Sequence, residues 1–240
     1  MRGVFVTGTG TEVGKTVVAA ATARTLAAAG LRVAVFKPAV TGLAELPADR
    51  PKGSTPGVPS THRRRNEADH EMLRRAAGSS QSDEEVAPYR FGPPMSPHLA
   101  AHQAGEEIEP ERLRATASAA AESADVLVCE GVGGLLVPLA LEYSVRDLAV
   151  DLGLPLVVAA APGLGTINHT LLTLEAARAV GLEIAAVVLT PWPEAPGVIE
   201  RSNRETIVAL GDVPVELLPE IDLDEPEAWP KLDPCRLIAA

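Results

Sequence analysis

The chain has 240 residues, with 21 Lys plus Arg against 32 Asp plus Glu and a formal net charge of −11. That excess of acid argues against a nucleic-acid binder, whose affinity rests on clustered positive charge. Hydrophobic residues make up 46% of the chain and aromatics 3%, which suits Ala-rich helices on a Val-rich sheet and excludes both a disordered chain and an aromatic-lined single-strand or carbohydrate surface.

In chain order, short Val/Leu/Ile runs alternate with longer segments of helical period, the pattern of a mostly parallel sheet with helices on both faces. The first strand is predicted at Gly3 to Thr7, and the first helix at Lys15 to Ala29. Between them runs Gly8-Thr9-Gly10-Thr11-Glu12-Val13-Gly14-Lys15-Thr16. Glycines there let successive N–H groups and the helix N-terminus surround phosphates, Lys15 adds positive charge, and Thr16 offers a hydroxyl to Mg²⁺. Five residues separate Gly8 from Gly14, one more than the usual phosphate-loop spacing, so the strand–loop–helix context carries the reading.

The second strand, Arg32 to Lys37, ends on Lys37-Pro38, with Thr41-Gly42 just beyond. Ligands of open parallel sheets bind past the carboxyl ends of the strands, which puts Lys37 on the same edge as the phosphate loop. From Leu43 to Asn66 the chain is rich in Pro, Gly, Ser and Thr and ends in His62-Arg63-Arg64-Arg65; it is expected to be a mobile surface loop at 43–66 whose arginines form a solvated charge run. Helices follow at Asp69 to Ala77, Pro97 to Ala104 and Pro110 to Ser123. Glu67, Asp69 and Glu71 are close together at the first of these, and position alone does not choose a metal-binding carboxylate among them.

A third strand at Asp125 to Cys129 leads into Glu130-Gly131-Val132-Gly133-Gly134. A carboxylate at that strand end is placed to hold Mg²⁺, which takes one or two carboxylates together with phosphate oxygens; read alone, Glu130 is a polar cap on a buried strand. The helix at Val145 to Leu152, strand at Pro155 to Ala160, helix at Asn168 to Val180, strand at Ile184 to Thr190, helix at Val198 to Leu210 and strand at Val213 to Leu217 complete the series. The expectation is a single α/β domain over 1–240 with the P-loop NTPase fold. The apolar run at Val4 to Val6 stops too early for a signal-peptide core, and the stretch from Leu154 to Ile167 is broken by Pro155, Pro162 and glycines, so neither a targeting segment nor a membrane association is expected. With Cys129 and Cys235 alone, no disulfide framework is possible, Cys129 reads as core, and a cytoplasmic location is expected. Neither a zinc spacing nor a Gly-x-Ser-x-Gly elbow is present, so zinc-site and hydrolase readings lack support.

Together these residues resemble the dethiobiotin synthetases. The resemblance covers nearly the whole chain and rests on Val6-Thr7-Gly8-Thr9 through Glu12-Val13-Gly14-Lys15-Thr16, Lys37-Pro38, Thr41-Gly42, Ser96-Pro97-His98, Glu130-Gly131-Val132-Gly133-Gly134 and Gly165-Thr166-Ile167-Asn168-His169. It implies an ATP-dependent ring closure of 7,8-diaminononanoate with CO2, and Mg²⁺ as cofactor. It also implies a homodimer whose diamine substrate lies at the subunit interface.

Carried over by motif, Lys37, Lys15 and Thr11 are the catalytic candidates. Glu12, Val13, Gly14, Lys15, Thr16 and Val17 form the nucleotide phosphate loop; Asp69, Glu130, Gly131, Val132 and Gly133 complete its surroundings; and Thr16, Asp69 and Glu130 are the Mg²⁺ group. Thr41 and Lys37 meet the diamine, and Gly165, Thr166, Ile167 and Asn168 meet its carboxylate, with Asn168 expected to head a helix whose amides favour an anion. Where many members carry Asn-Asp to read adenine, this chain has Thr190-Pro191; contacts to the base are therefore expected from the backbone there and from Leu218, Pro219 and Glu220. Two competing readings are a deviant-loop ATPase switch, whose signature lysine is Gly10 here, and a corrin-amidase-like ligase, whose glutaminase domain does not fit in this length.

Overall fold

Strands that are apolar on both faces are stable only with both faces covered. The computed structural model describes residues 1–45 and 67–233. Its strands are β1 (Gly3–Gly8), β2 (Val33–Phe36), β3 (Val126–Gly134), β4 (Pro138–Ala140), β5 (Tyr143–Ser144), β6 (Leu156–Ala160), β7 (Ile184–Trp192) and β8 (Val215–Pro219). Its helices are α1 (Lys15–Ala28), α2 (Asp69–Ala77), α3 (Asp83–Val86), α4 (Pro97–Ala104), α5 (Pro110–Glu122), α6 (Val145–Leu152), α7 (Thr166–Arg178) and α8 (Val198–Gly211). Six strands form one sheet in the order β2-β3-β1-β6-β7-β8, every pair parallel, while β4 and β5 make a separate antiparallel hairpin.

Alternation along each strand sends its side chains to two cores. Val4 and Val6 of β1, Val126 and Val128 of β3, and Val157 of β6 face α1 and α2, where Val17, Val18, Leu26 and Leu73 meet them. Phe5, Leu127, Cys129 and Leu156 face the other way, against Leu113 of α5 and Val145 and Leu148 of α6. Toward β7 and β8 that second face continues as Val158, Val187 and Leu189 beneath Leu174 of α7 and Ile207 of α8. Among the described residues no helix is long and apolar enough to cross a membrane.

Several boundaries differ from the expected ones. Strand β3 does not stop at Cys129 but runs on through Gly134, which pairs with Gly8 of β1; Glu130 and the glycines read as a turn because they are polar or small, yet the carboxylate is fully buried inside the strand. Strand β7 extends two residues past Thr190, and β8 is shifted two residues later than expected. Helix α7 starts at Thr166 instead of Asn168, because Gly165 takes the N-cap with a φ of 91° that favours glycine. The β4–β5 hairpin, α3 and a 3-10 turn at Leu43–Glu45 were not anticipated. Of the expected 43–66 loop, everything from 46 to 66, the basic run included, lies outside the described residues.

Helix α1 follows the phosphate loop and is buried on nearly every side; Ala19, Ala20 and Ala23 are fully inaccessible. Small residues allow this because the chain after β8 crosses over α1 and seals it. Ile221, Leu223, Trp229 and Leu232 join the α1 core, Trp229 Nε1 donates to the Asp222 carbonyl at 2.6 Å, and the Leu232 N–H donates to Thr25 Oγ1 at 3.3 Å. Arg24 of α1 also pairs with Glu227 of this segment. Removing a buried indole costs about 3–5 kcal/mol. Trp229→Ala is therefore expected to lower the urea midpoint sharply, and a midpoint unchanged from the parent would show that the segment does not seal α1.

Candidate active site

The parallel strands all point their carboxyl ends at one edge, and the residues singled out in the sequence arrive there from β1, β2, β3 and the start of α2. The phosphate loop leaves β1 and enters α1 through Gly14, whose φ is 83°. A Cβ on Gly14 would come within 2.6 Å of the Thr190 methyl at the end of β7, so both backbone conformation and space require glycine there. Gly8 is also hemmed in, since a Cβ would lie 2.7 Å from Val13 and 2.8 Å from Lys15. The Lys15 ammonium reaches back to donate to the Gly10 carbonyl at 2.7 Å. Thr11 and Glu12 at the crest are exposed, and Val17 is buried in the α1 core.

Behind this loop Glu130 forms the hub. Its Oε1 accepts from the Lys37 ammonium at 2.6 Å and from the Thr16 hydroxyl at 2.9 Å. Lys37 is also 3.0 Å from Asp69 Oδ2, so one ammonium bridges two carboxylates drawn from β3 and α2. Glu67 and Glu71 are turned elsewhere. Glu67 forms a two-pronged pair with Arg75, at 2.8 Å on each side, and Glu71 accepts from the Ala68 N–H at 2.8 Å, capping its own helix. Of the three adjacent carboxylates, Asp69 is the one brought to Lys37.

Burial sets the electrostatics. Desolvation is the largest influence on Lys15, opposed by Glu130 and assisted by Lys37, and its pKa falls to about 8. Lys37 is desolvated as well, but the Asp69 and Glu130 charges and their hydrogen bonds outweigh burial and raise it. Burial drives the Glu130 carboxyl upward and Asp69 adds to this, with Lys37 and Lys15 pulling against both. Two cations and two carboxylates thus balance around the fully buried Glu130, and each charge depends on its opposite for its ionisation.

The second oxygen of Glu130, Oε2, is buried without a hydrogen-bond partner. A buried carboxylate oxygen with no donor is unusual and costly, and a cation-bound ligand would satisfy it. Thr16, bonded to Glu130, and the two carboxylates that share Lys37 supply oxygen atoms of the hard kind that Mg²⁺ prefers. Among the described residues no group of three or more His, Cys, Asp or Glu side chains forms a metal-holding cluster; Mg²⁺ uses one or two carboxylates plus phosphate oxygens and water, so the oxygens here fit it without a cage.

The remaining candidates lie around this centre. Gly131 packs tightly, a Cβ on it meeting Val145 at 2.8 Å and Phe5 at 3.1 Å, and Val132 and Gly133 are half-buried at the end of β3. Thr41 follows the bridge that joins Val40 to Arg90 and is half-buried. At the far end of the edge, Thr190 is buried and its hydroxyl has no partner, whereas Pro191 is exposed. Leu218 is fully buried in the α1 core, backbone included, against its expected contact with the base, whereas Pro219 and Glu220 are progressively more open. Gly165, Thr166, Ile167 and Asn168 form the first turn of α7, with Thr166 buried and Asn168 exposed as the third helical residue.

Sequence reasoning missed Asn203. It is buried with Ile207 and Gly211 on one face of α8, and its amide donates to the Pro162 and Gly163 carbonyls at 2.8 and 3.0 Å. The available signal was an amide interrupting an i, i+4 apolar row.

An AAA-domain family model matches residues 2–226. The ATP-dependent dethiobiotin synthetase of Anaeromyxobacter dehalogenans is 41% identical over 220 residues, spanning 91% of this chain and 90% of that protein. The Bacillus subtilis ATP-dependent dethiobiotin synthetase is 34% identical over 215 residues, spanning 90% and 85%. The crystal structure of cell division protein FtsY from Thermotoga maritima aligns with a TM-score of 0.50 and 13% identity over 98% of this chain and 66% of that one, a likeness of fold alone. Relatives matched along nine-tenths of the sequence at this identity place the chain in a family that its phosphate loop, strand-end lysine and buried glutamate had already suggested: it belongs to the ATP-dependent dethiobiotin synthetases.

Proposed function

We propose that this ATP-dependent ligase closes the ring of dethiobiotin from 7,8-diaminononanoate, CO2 and a nucleoside triphosphate. The observation that carries the reading is Lys37 held between the buried Glu130 and Asp69 beside the phosphate loop, with the Lys15 charge close enough to feel both carboxylates. One amine of the diamine adds to CO2 and loses a proton, giving a carbamate. A carbamate oxygen takes the γ-phosphoryl group, releasing ADP, and the second amine then attacks the carbamoyl carbon and expels phosphate. Phosphoryl transfer of this kind depends on positioning and on stabilising charge spread over the transferred group.

Lys15 and Lys37 supply that positive charge, and the loop amides around Gly14 hold the nucleotide's phosphates. Thr11 joins the two lysines as a catalytic residue, Thr41 and Lys37 meet the diamine, and the first turn of α7 meets its carboxylate, with the substrate bound between two copies of the chain. Thr16, Asp69 and Glu130 would hold Mg²⁺, which when bound neutralises phosphate charge. The location is cytoplasmic, and neither nucleic acid nor a membrane is a partner. Phosphate release measured with and without diaminononanoate tests the whole reading: release that requires the diamine supports a ligase, and release indifferent to it overturns the assignment.

Lys37→Ala is expected to lower kcat by about 10²–10³-fold, the scale of losing one preorganised charge-stabilising group. Because the substitution also leaves Asp69 and Glu130 facing each other without their ammonium, Mg²⁺ should raise the melting temperature of this variant more than that of the parent. A rate within tenfold of the parent would remove Lys37 from the reaction.

Glu130→Gln and Asp69→Asn should each shift the Mg²⁺ activation curve to higher metal, since each removes a full charge with little change of shape. Glu67→Gln should leave it in place, because that carboxylate is committed to Arg75. A Mg²⁺ curve displaced only by Glu67→Gln would reverse the assignment.

Base selectivity is expected to be loose. Thr190 provides one hydroxyl and Pro191 no N–H, so the end of β7 lacks a side chain that both donates to and accepts from a base edge. Turnover with ATP, CTP, GTP and UTP at matched subsaturating concentrations should agree within roughly tenfold, about 1.4 kcal/mol. An ATP preference of a hundredfold or more would reveal a base-reading group elsewhere.

A further inference from the structure

The segment between β6 and α7 has few anchors of its own. Leu164 is 96% exposed, Gly165 caps α7 in the left-handed region without a side-chain bond, and the Thr166 N–H bonds to the Gly163 carbonyl at 3.3 Å. The His169 N–H bonds to the Gly165 carbonyl at 3.1 Å. Among the described residues the N–H groups of Ile167 and Asn168 have no acceptor, as the first amides of a helix lack intrahelical partners. Two free amides at the positive end of a helix suit a single anionic group.

Asn203 of α8, 7% exposed, holds this segment from behind. Its amide nitrogen bonds to the Pro162 and Gly163 carbonyls at 2.8 and 3.0 Å, so both carbonyl oxygens are turned to α8. An unheld carbonyl in so short a turn could swing toward the anion and repel it. Ile207 and Gly211, one and two turns further along, bury the same face of α8 against Leu174 of α7, which makes the helix a rigid mount for the amide.

We propose that Asn203 is a positioning residue for the substrate's carboxylate: through Pro162 and Gly163 it fixes the turn that presents the first amides of α7. This rests on the reading of that turn as the carboxylate subsite. Asn203 touches no reacting atom, so its loss should weaken capture of the diamino acid while leaving phosphoryl transfer intact.

The test compares the parent with Asn203→Leu, which keeps the bulk but has no donor, and Asn203→Gln, which keeps the donor. Each is assayed with 7,8-diaminononanoate and with 2,3-diaminooctane, the same vicinal diamine without a carboxylate. Asn203→Leu is expected to raise KM for the diamino acid about tenfold, with kcat within about twofold, KM for ATP unchanged and KM for diaminooctane unchanged. Asn203→Gln should recover part of the lost affinity. A parent that prefers the diamino acid and an Asn203→Leu variant that keeps the whole preference would overturn the role of Asn203 alone. A parent that uses both diamines with equal KM would overturn the carboxylate subsite itself, and Asn203's role with it. A loss of kcat with every KM unchanged, or a variant that fails to fold while Asn203→Gln behaves as the parent toward both diamines with ATP affinity intact and no KM change on further replacement by Ser, would assign Asn203 to stability and overturn the proposal.

Discussion

A carboxylate buried without water must be matched by positive charge or lose its own, and the candidate site is organised around that constraint at Glu130. The residue lies within a strand of the central sheet, opposite Val6 of β1, where no solvent reaches it. Its partners therefore come from other elements: Lys37 from the end of β2, Thr16 from the first turn of α1, and Lys15 at longer range. Asp69 completes the set by sharing Lys37. Withdrawing one member of such a buried pair costs about 3–5 kcal/mol, so one set of interactions ties β2, β3, α1 and α2 together.

The architecture and the members of this centre were legible because each sits where a general rule puts it. Apolar runs of strand length separated by helical segments imply a parallel sheet, and a parallel sheet collects strand-end residues on one edge; Lys37 and Glu130 could thus be placed beside Lys15 across long sequence separations. Lateral detail was less legible. Which of Glu67, Asp69 and Glu71 lies beside Lys37 depends on a helix start known from sequence only to within a residue or two, and the other two have their own partners, Arg75 for Glu67 and the Ala68 N–H for Glu71. The end of β3 was placed too early because glycines punctuate most sequences, whereas here they continue the strand where Gly134 approaches Gly8 and Gly10. For Asn203 the interrupted i, i+4 apolar row marks a buried amide, but nothing local names the distant turn that it holds.

Glycine at Gly14 shows how one contact can tie recognition to conformation. Thr190 lies against the phosphate loop so closely that only a residue without Cβ fits, and the Thr190 hydroxyl remains buried and unpartnered. Strand β7 therefore contributes a methyl that shapes the loop and a hydroxyl left over for something else. Side-chain choice at this strand end is therefore constrained by the loop first.

Strand order places these parts relative to one another. From β1 the chain moves outward to β2 and returns to β3 on one side, then crosses β1 to build β6, β7 and β8 on the other. The reversal falls at β1, the position where open α/β sheets bind their ligands. The phosphate loop leaves β1 there, with the Lys37–Glu130–Asp69 cluster on the β3 side and the α7 turn on the β6 side. Because β2, β3 and β1 are neighbours in that order, Lys37, Glu130 and Thr16, which lie far apart in the sequence, meet at one strand edge.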